Sequence, residues 1–256
     1  MARLDRVGAA KEVAQLGAVI GRIFSYELLS AVSDAAEAEL RLALNRLVGA
    51  ELIFQRGAPP LASYTFRHAL VRDAAYESLL RSKRQQLHAN VADSAEDQFP
   101  EVGEAEPELL GHHWSMAQMP QKAIPYFTRA ADHARATYAN EEAIAFYKSA
   151  IGLANEIIRD DGGQANQRLI ETARPYEGLG DVMALTRRHA EARGAYARAL
   201  DGIPEGDGLW RARIHRKLGV MNQEDRTERE RGSWQFYETV EHMNRWYEQH
   251  EKKNLL

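Results

Sequence analysis

The sequence contains no cysteine. That excludes a disulfide scaffold, a thiolate-ligated zinc site and thiol catalysis, and it accords with a cytoplasmic protein. Proline and glycine are sparse, at eight and eighteen of 256 residues, and most stand at segment ends, so long stretches are free to be helical. No apolar run approaches the roughly 20 residues that span a bilayer, which excludes a transmembrane helix. The first residues, Met1 to Arg6, lead into an amphipathic stretch rather than the apolar core of a secretory signal. Neither charge sign dominates: 33 basic and 37 acidic side chains leave a net charge of −4, and no segment concentrates a positive field. Charge therefore lends no support to binding along a phosphate backbone. With 45% hydrophobic and 27% charged residues, the chain is of the folded rather than the disordered kind.

The motifs of common chemistry are also missing. No glycine is followed by lysine, so the chain holds no Gly-Lys-Ser/Thr phosphate loop. There is no His-Glu-x-x-His helix and no Gly-x-Ser-x-Gly elbow. The many carboxylates form no apolar-flanked pair suited to general acid–base work. No catalytic constellation is visible, and the chain by itself is not expected to be an enzyme or to hold a cofactor or metal.

What is present reads first as short helices. Residues 10–19 place Val13, Ala14, Leu16 and Ala18 at helical spacing. Ser25 is suited to cap a helix over 26–32, with Glu27 near its positive end. Ser33 or Asp34 is suited to cap a helix over 35–48, where Leu40, Leu44 and Leu47 line one face, Leu42, Ala43 and Val48 widen it, and Gly49 stops it. The period then changes. Residues 51–56 and 62–66 read as two short strands around Gly57-Ala58-Pro59-Pro60, followed by helices at 68–80 and 83–98. Two strands after a short helix are the pattern of a winged helix, giving a first module over 1–98. From 104 to 256 the chain reads as helical throughout, at 107–117, 121–137, 140–158, 167–185, 189–200, 208–223 and 231–252, with turn chemistry between.

The helices repeat. Tyr176, Leu179, Gly180, Ala192, Tyr196, Ala199 and Pro204 fall at tetratricopeptide spacing, with small residues where two helices approach and aromatics between neighbours. The same template fits Leu110, Gly111, Trp114, Ala123, Phe127 and Ala130, and again Phe127, Ala130, Ala131, Ala143, Tyr147 and Ala150. One helix can serve two fits because each helix of a solenoid packs on both neighbours. The fold class expected is thus mostly α: a winged-helix-like module followed by a tetratricopeptide-like α-solenoid. The last helix carries Trp234, Phe236, Tyr237, Met243, Trp246 and Tyr247 with no polar helix behind it. That reads as an array without its cap, in a fragment, a truncated reading frame or one partner of an oligomer, with self-association through that helix.

Some residues invite chemistry and have plainer readings. His112 and His113 suggest a metal, but adjacent helical residues point about 100° apart, so one packed and one exposed histidine is preferred. Arg81, Lys83 and Arg84 read as a solvated start of a helix, and the mixed-sign run 223–231 as an exposed face. Asp34, Glu37, Glu39, Arg41 and Arg46 give the candidate recognition helix a net charge of −1, against a DNA reader.

Three stretches carry a family resemblance: Gly17 to Leu29, Leu40 to Leu52, and Tyr64-Thr65-Phe66-Arg67-His68-Ala69-Leu70-Val71-Arg72-Asp73 onward to Leu80. They resemble the winged-helix and tetratricopeptide region of large bacterial signalling ATPases of the STAND/AAA type, which join a class III adenylate/guanylate cyclase, kinase or regulator domain to an ATPase core. The resemblance implies a regulatory part, with ATP or ADP held by a nucleotide-binding domain outside this chain, in cis or in trans. His68 by itself reads as a structural or capping histidine; Arg67-His68-Ala69 stands where related ATPases carry Met-His-Asp, with only the histidine kept, and the resemblance implies a nucleotide-phosphate sensor at His68. It implies that the repeats bind a protein or peptide in a groove, with Trp114, Tyr126, Tyr147 and Tyr176 as candidate contacts. A stand-alone tetratricopeptide scaffold and a winged-helix transcription regulator are the alternative readings.

Overall fold

A computed structural model describes residues 10–160 and 165–224. They are predominantly helical, with one small sheet, and the chain divides into two compact units, Met1–Met119 and Pro120–Leu256.

The first unit opens with α1 (Ala10–Ile20), β1 (Ile23–Ser25), α2 (Tyr26–Val32) and α3 (Glu37–Gly49). Strands β2 (Ile53–Arg56) and β3 (Ser63–Phe66) follow, then α4 (Ala69–Glu77), α5 (Arg81–Gln98), α6 (Pro100–Ala105) and α7 (Pro107–Met116). The strands form one antiparallel sheet in the order β1-β3-β2, with Ile23 opposite Thr65 and Thr65 opposite Phe54. Phe24, Tyr64 and Phe66 turn inward, their ring centroids 5.6 and 5.7 Å apart, onto a core shared with α1 and α3.

Ser25 caps α2 as expected, accepting from the Leu28 amide. Neither Ser33 nor Asp34 caps α3: the helix begins at Glu37, because Ser33 closes α2 through its own amide and turns its hydroxyl to Ala35. Helix α3 ends at Gly49 as expected, yet the left-handed residue of that turn is Glu51, at φ 57°. Leu40, Ala43, Leu44 and Leu47 are buried, whereas Leu42, counted on the same face from its spacing, is 53% exposed. Strand β1 and helix α6 are additions to the elements expected from sequence.

The second unit consists of α8 (Pro120–Ala136), α9 (Asn140–Asp160), α10 (Ala165–Leu185), α11 (His189–Gly202) and α12 (Gly208–Glu224). Each helix packs on the next, and α10 also reaches α8. Turns α8–α9 and α10–α11 are built alike. Tyr138 and Arg187 adopt left-handed conformations at φ 61° and 59°, and Ala139 and Arg188 donate back to the carbonyls of Ala134 and Met183. This six-to-one bond satisfies carbonyls that the helix end leaves open. Helix α7 ends the same way, with Gln118 at φ 59° and Met119 donating to Trp114.

The division between units falls at Met119, later than the 98/104 boundary read from sequence. Helices α6 and α7 pack on α5, and the Trp114 indole donates to Glu96 of α5 at 2.7 Å. The helix expected at 231–252, with its aromatic residues, and the mixed-charge run from residue 225 lie outside the described residues.

Candidate functional site

The second unit repeats its polar contacts as well as its turns. Tyr147 of α9 donates its hydroxyl to Asp132 of α8 at 2.6 Å, and Tyr196 of α11 donates to Asp181 of α10 at 2.8 Å. Both phenols are nearly or wholly buried. Burial first, then the adjacent carboxylate, pushes the acidity constant of each upward, so both stay protonated donors.

Close backbone approach makes room for the rings. A Cβ on Gly178 would lie 2.5 Å from Cε1 of Tyr147, and one on Gly180 would lie 2.6 Å from Cε1 of Tyr196. Gly180, Ala192, Tyr196 and Ala199 are thus the small and large members of one interlocking set, as their spacing predicts. Ala131, Ala143, Tyr147 and Ala150 are its counterpart one helix pair earlier, and all four are buried.

From these pairs a line of charges crosses α8, α10 and α12. Arg135 donates to Asp181 at 2.9 Å, and Lys217 bridges Asp181 at 2.6 Å and Glu177 at 2.7 Å. Trp210 and Arg213 donate to the other oxygen of Glu177 at 2.7 and 2.8 Å, and Arg174 lies 3.6 Å from Asp132. Burial alone would raise the Glu177 acidity constant, but hydrogen bonds from Lys217, Trp210 and Arg213 outweigh it and hold it below the usual carboxylate range. The line is solvent-facing at its edges: Arg174 is 74% and Arg213 51% exposed, against 11% for Glu177. The face thus presents paired charges with two arginines open to solvent.

The residues singled out from sequence are distributed unevenly on this frame. Tyr147 is fully buried, and so is Trp114, which belongs to the first unit; a partner reaches neither ring without opening the packing. Tyr176 is half-buried against the core of the second unit. Tyr126, also half-buried, has the Arg129 guanidinium 4.6 Å from its ring centre. Sequence reasoning missed Asp132, Arg135, Glu177, Asp181 and Lys217. Their signal is weak, since charged residues at helical spacing look alike whether solvated or paired.

His68 lies in the first unit, exposed, at the residue preceding α4, and its side chain does not cap the helix. Its neighbour Arg67 pairs with Glu51 at 2.7 Å and covers the Phe54 ring at 4.5 Å. An exposed imidazole beside that cation can donate to an anionic oxygen.

Deeper in the first unit, His113 is buried and His112 exposed, the arrangement preferred from sequence. The partner of His113 was not expected: Nδ1 of His88 on α5 lies 2.8 Å from Nδ1 of His113, and the Tyr76 hydroxyl lies 3.0 Å from Nε2 of His88. The signal was there, because His88 shares a helical face with Val91, Ala92 and Ala95. Among the described residues no group of three or more His, Asp or Glu side chains is arranged to hold a metal ion. No described helix is long and apolar enough to cross a membrane.

No family model matches the chain. The chain is 28% identical over 172 residues to an uncharacterized protein of Rhizobium meliloti (strain 1021), an alignment covering 67% of this chain and 17% of that protein. The chain therefore spans about a sixth of the length of the curated relative it matches.

Proposed function

We propose that this chain is a non-catalytic regulatory and protein-interaction module of a longer signalling ATPase. In this reading the first unit is a winged helix that docks on a nucleotide-binding core in cis or in trans. The order α1-β1-α2-α3-β2-β3, with an antiparallel sheet β1-β3-β2, supports that reading. The second unit is a tetratricopeptide-like array whose line of charges on α8, α10 and α12 receives a protein or peptide. The observation that carries the proposal is the recurrence of one pairing, Asp132–Tyr147 and Asp181–Tyr196, with Ala131 and Gly180 as the small residues before each aspartate, in consecutive helix pairs. Repeated pairs of this kind build extended faces for partner chains rather than closed pockets for chemistry. The length of the Rhizobium relative supports placing the module within a larger protein. Coupling requires the partner to bind one state of the core more tightly than another.

Two measurements test this. Affinity capture with the chain is expected to enrich proteins that the Arg174→Glu/Arg213→Glu variant does not retain; equal capture by both would remove the charged face from the proposal. In the longer protein, His68→Ala is expected to change the rate of nucleotide exchange. An unchanged rate rejects the sensor role, and salt-dependent binding of duplex DNA by the chain would favour a transcription regulator instead.

A further inference from the structure

The histidine pair in the first unit has a property that partner binding does not use. His88 and His113 are each 1% exposed, and their facing Nδ1 atoms, 2.8 Å apart, share a single proton. One ring donates and the other accepts, so the accepting ring must be neutral, and the donor is neutral too when its own Nε2 accepts from Tyr76. The order that satisfies most groups runs from the Tyr76 hydroxyl to Nε2 of His88, then from Nδ1–H of His88 to Nδ1 of His113. The remaining Nε2 of His113 is buried without a hydrogen-bond partner.

We infer that the His88–His113 pair is a one-proton latch holding α7 against α5, and that a further proton releases α7 from the first unit. A further proton makes one of the two buried rings a cation where no anion compensates it. The charged and titratable groups acting on the pair are Arg84 of α5 and His112 of α7, with Tyr76 of α4 bonded to His88 and Arg72 acting on His112. Among the described residues no carboxylate, whether of α5 itself or of α1, α2, α4, α6 or α7, acts on either ring. Burial first, and then the neighbouring positive or imidazole groups, lowers His88 to about 4 and His113 to about 3.

Helix α7 is the element that can yield. Its buried Leu110 and Trp114 lie outside the main core, which runs from Ala10 to Val91, so α7 can leave while that core persists. The Trp114–Glu96 hydrogen bond is a further polar tie of α7 to α5. A proton taken up only on opening raises the open fraction about tenfold per pH unit well below the ordinary histidine range, or about fifteenfold from pH 6.5 to pH 5.

Hydrogen exchange of the full chain, corrected for the intrinsic pH dependence of amide exchange, tests the latch. Protection of residues 107–116 is expected to fall about fifteenfold from pH 6.5 to pH 5 and to lie well below that of α1 and α3 at pH 5. Unchanged protection overturns the inference. Equal protection of α7 and α3 at pH 5 does so too, because exchange then proceeds by loss of the whole unit. His113→Asn keeps a donor and an acceptor near the Nδ1 position without a titrating ring, and its response is expected to be much flatter; a response as steep as that of the parent chain counts against the latch. Should that variant not fold, imidazole ¹⁵N titration of the parent chain decides: both rings are expected to stay neutral at pH 5, and either one titrating near 6.5 in the folded chain rejects the proposal.

Discussion

Asp132 and Asp181 each accept a hydrogen bond from the hydroxyl of a buried tyrosine on the following helix, and each tyrosine lies against a glycine of α10. A hydrogen bond to a charged acceptor contributes about 1.5–3 kcal/mol. Tyr147→Phe and Tyr196→Phe are each expected to lower the stability of the second unit by about that amount in urea unfolding. Gly178→Ala forces a methyl group into the Tyr147 ring and is expected to cost about 1–3 kcal/mol, the usual penalty of overpacking. A mutant as stable as the parent chain would show that the ring moves aside freely. Tyr147, Tyr196 and Gly180 were legible in the sequence because steric matching of large and small residues leaves a spacing. Asp132 and Asp181 were not, since no spacing says which carboxylate accepts a particular hydroxyl.

At the scale of the element, the described helices use one terminating device four times. Glu51, Gln118, Tyr138 and Arg187 each occupy the left-handed position that glycine fills without steric cost, and the next residue donates back six-to-one. Arg187 is exposed there. Arg187→Gly is accordingly expected to raise thermal stability, by about 0.5–1 kcal/mol after the added freedom of the unfolded chain is counted. Unaltered or lower stability would mean that the arginine side chain contributes more than the backbone strain removes. Most helices were visible beforehand from their 3.6-residue apolar period. Strand β1 was not: three residues show no alternation, and their extended form depends on pairing with β3 some forty residues later.

For the molecule as a whole, acid acts differently on the two units. The buried histidines of the first unit have acidity constants lowered from the ordinary 6.5 to about 4 and about 3. Their contribution is complete above pH 6.5 and is lost as pH falls through that value toward 4 and 3. By pH 5, states that expose both rings gain up to about 4 kcal/mol. Glu177 in the second unit is lowered instead, so its contribution persists until pH falls below the ordinary carboxylate value of 4.5. Thermal unfolding of the second unit, followed through its own amides, is expected to be nearly unchanged between pH 7 and pH 5 and to weaken below 4.5. A second unit that softened already at pH 6 would contradict this assignment.

The sequence by itself determined the helical class, most element positions and the small and aromatic residues that interlock, because each is written in local spacing. It also marked Leu110, Gly111 and Trp114 as a closely packed set, but only the tertiary structure decided that the helix bearing them packs on α5. The same holds for the His88–His113 bond and for the line from Asp132 to Lys217. Periodicity tells a side chain that it faces inward; which distant group it meets, and how that meeting sets a charge, is decided when the helices stack.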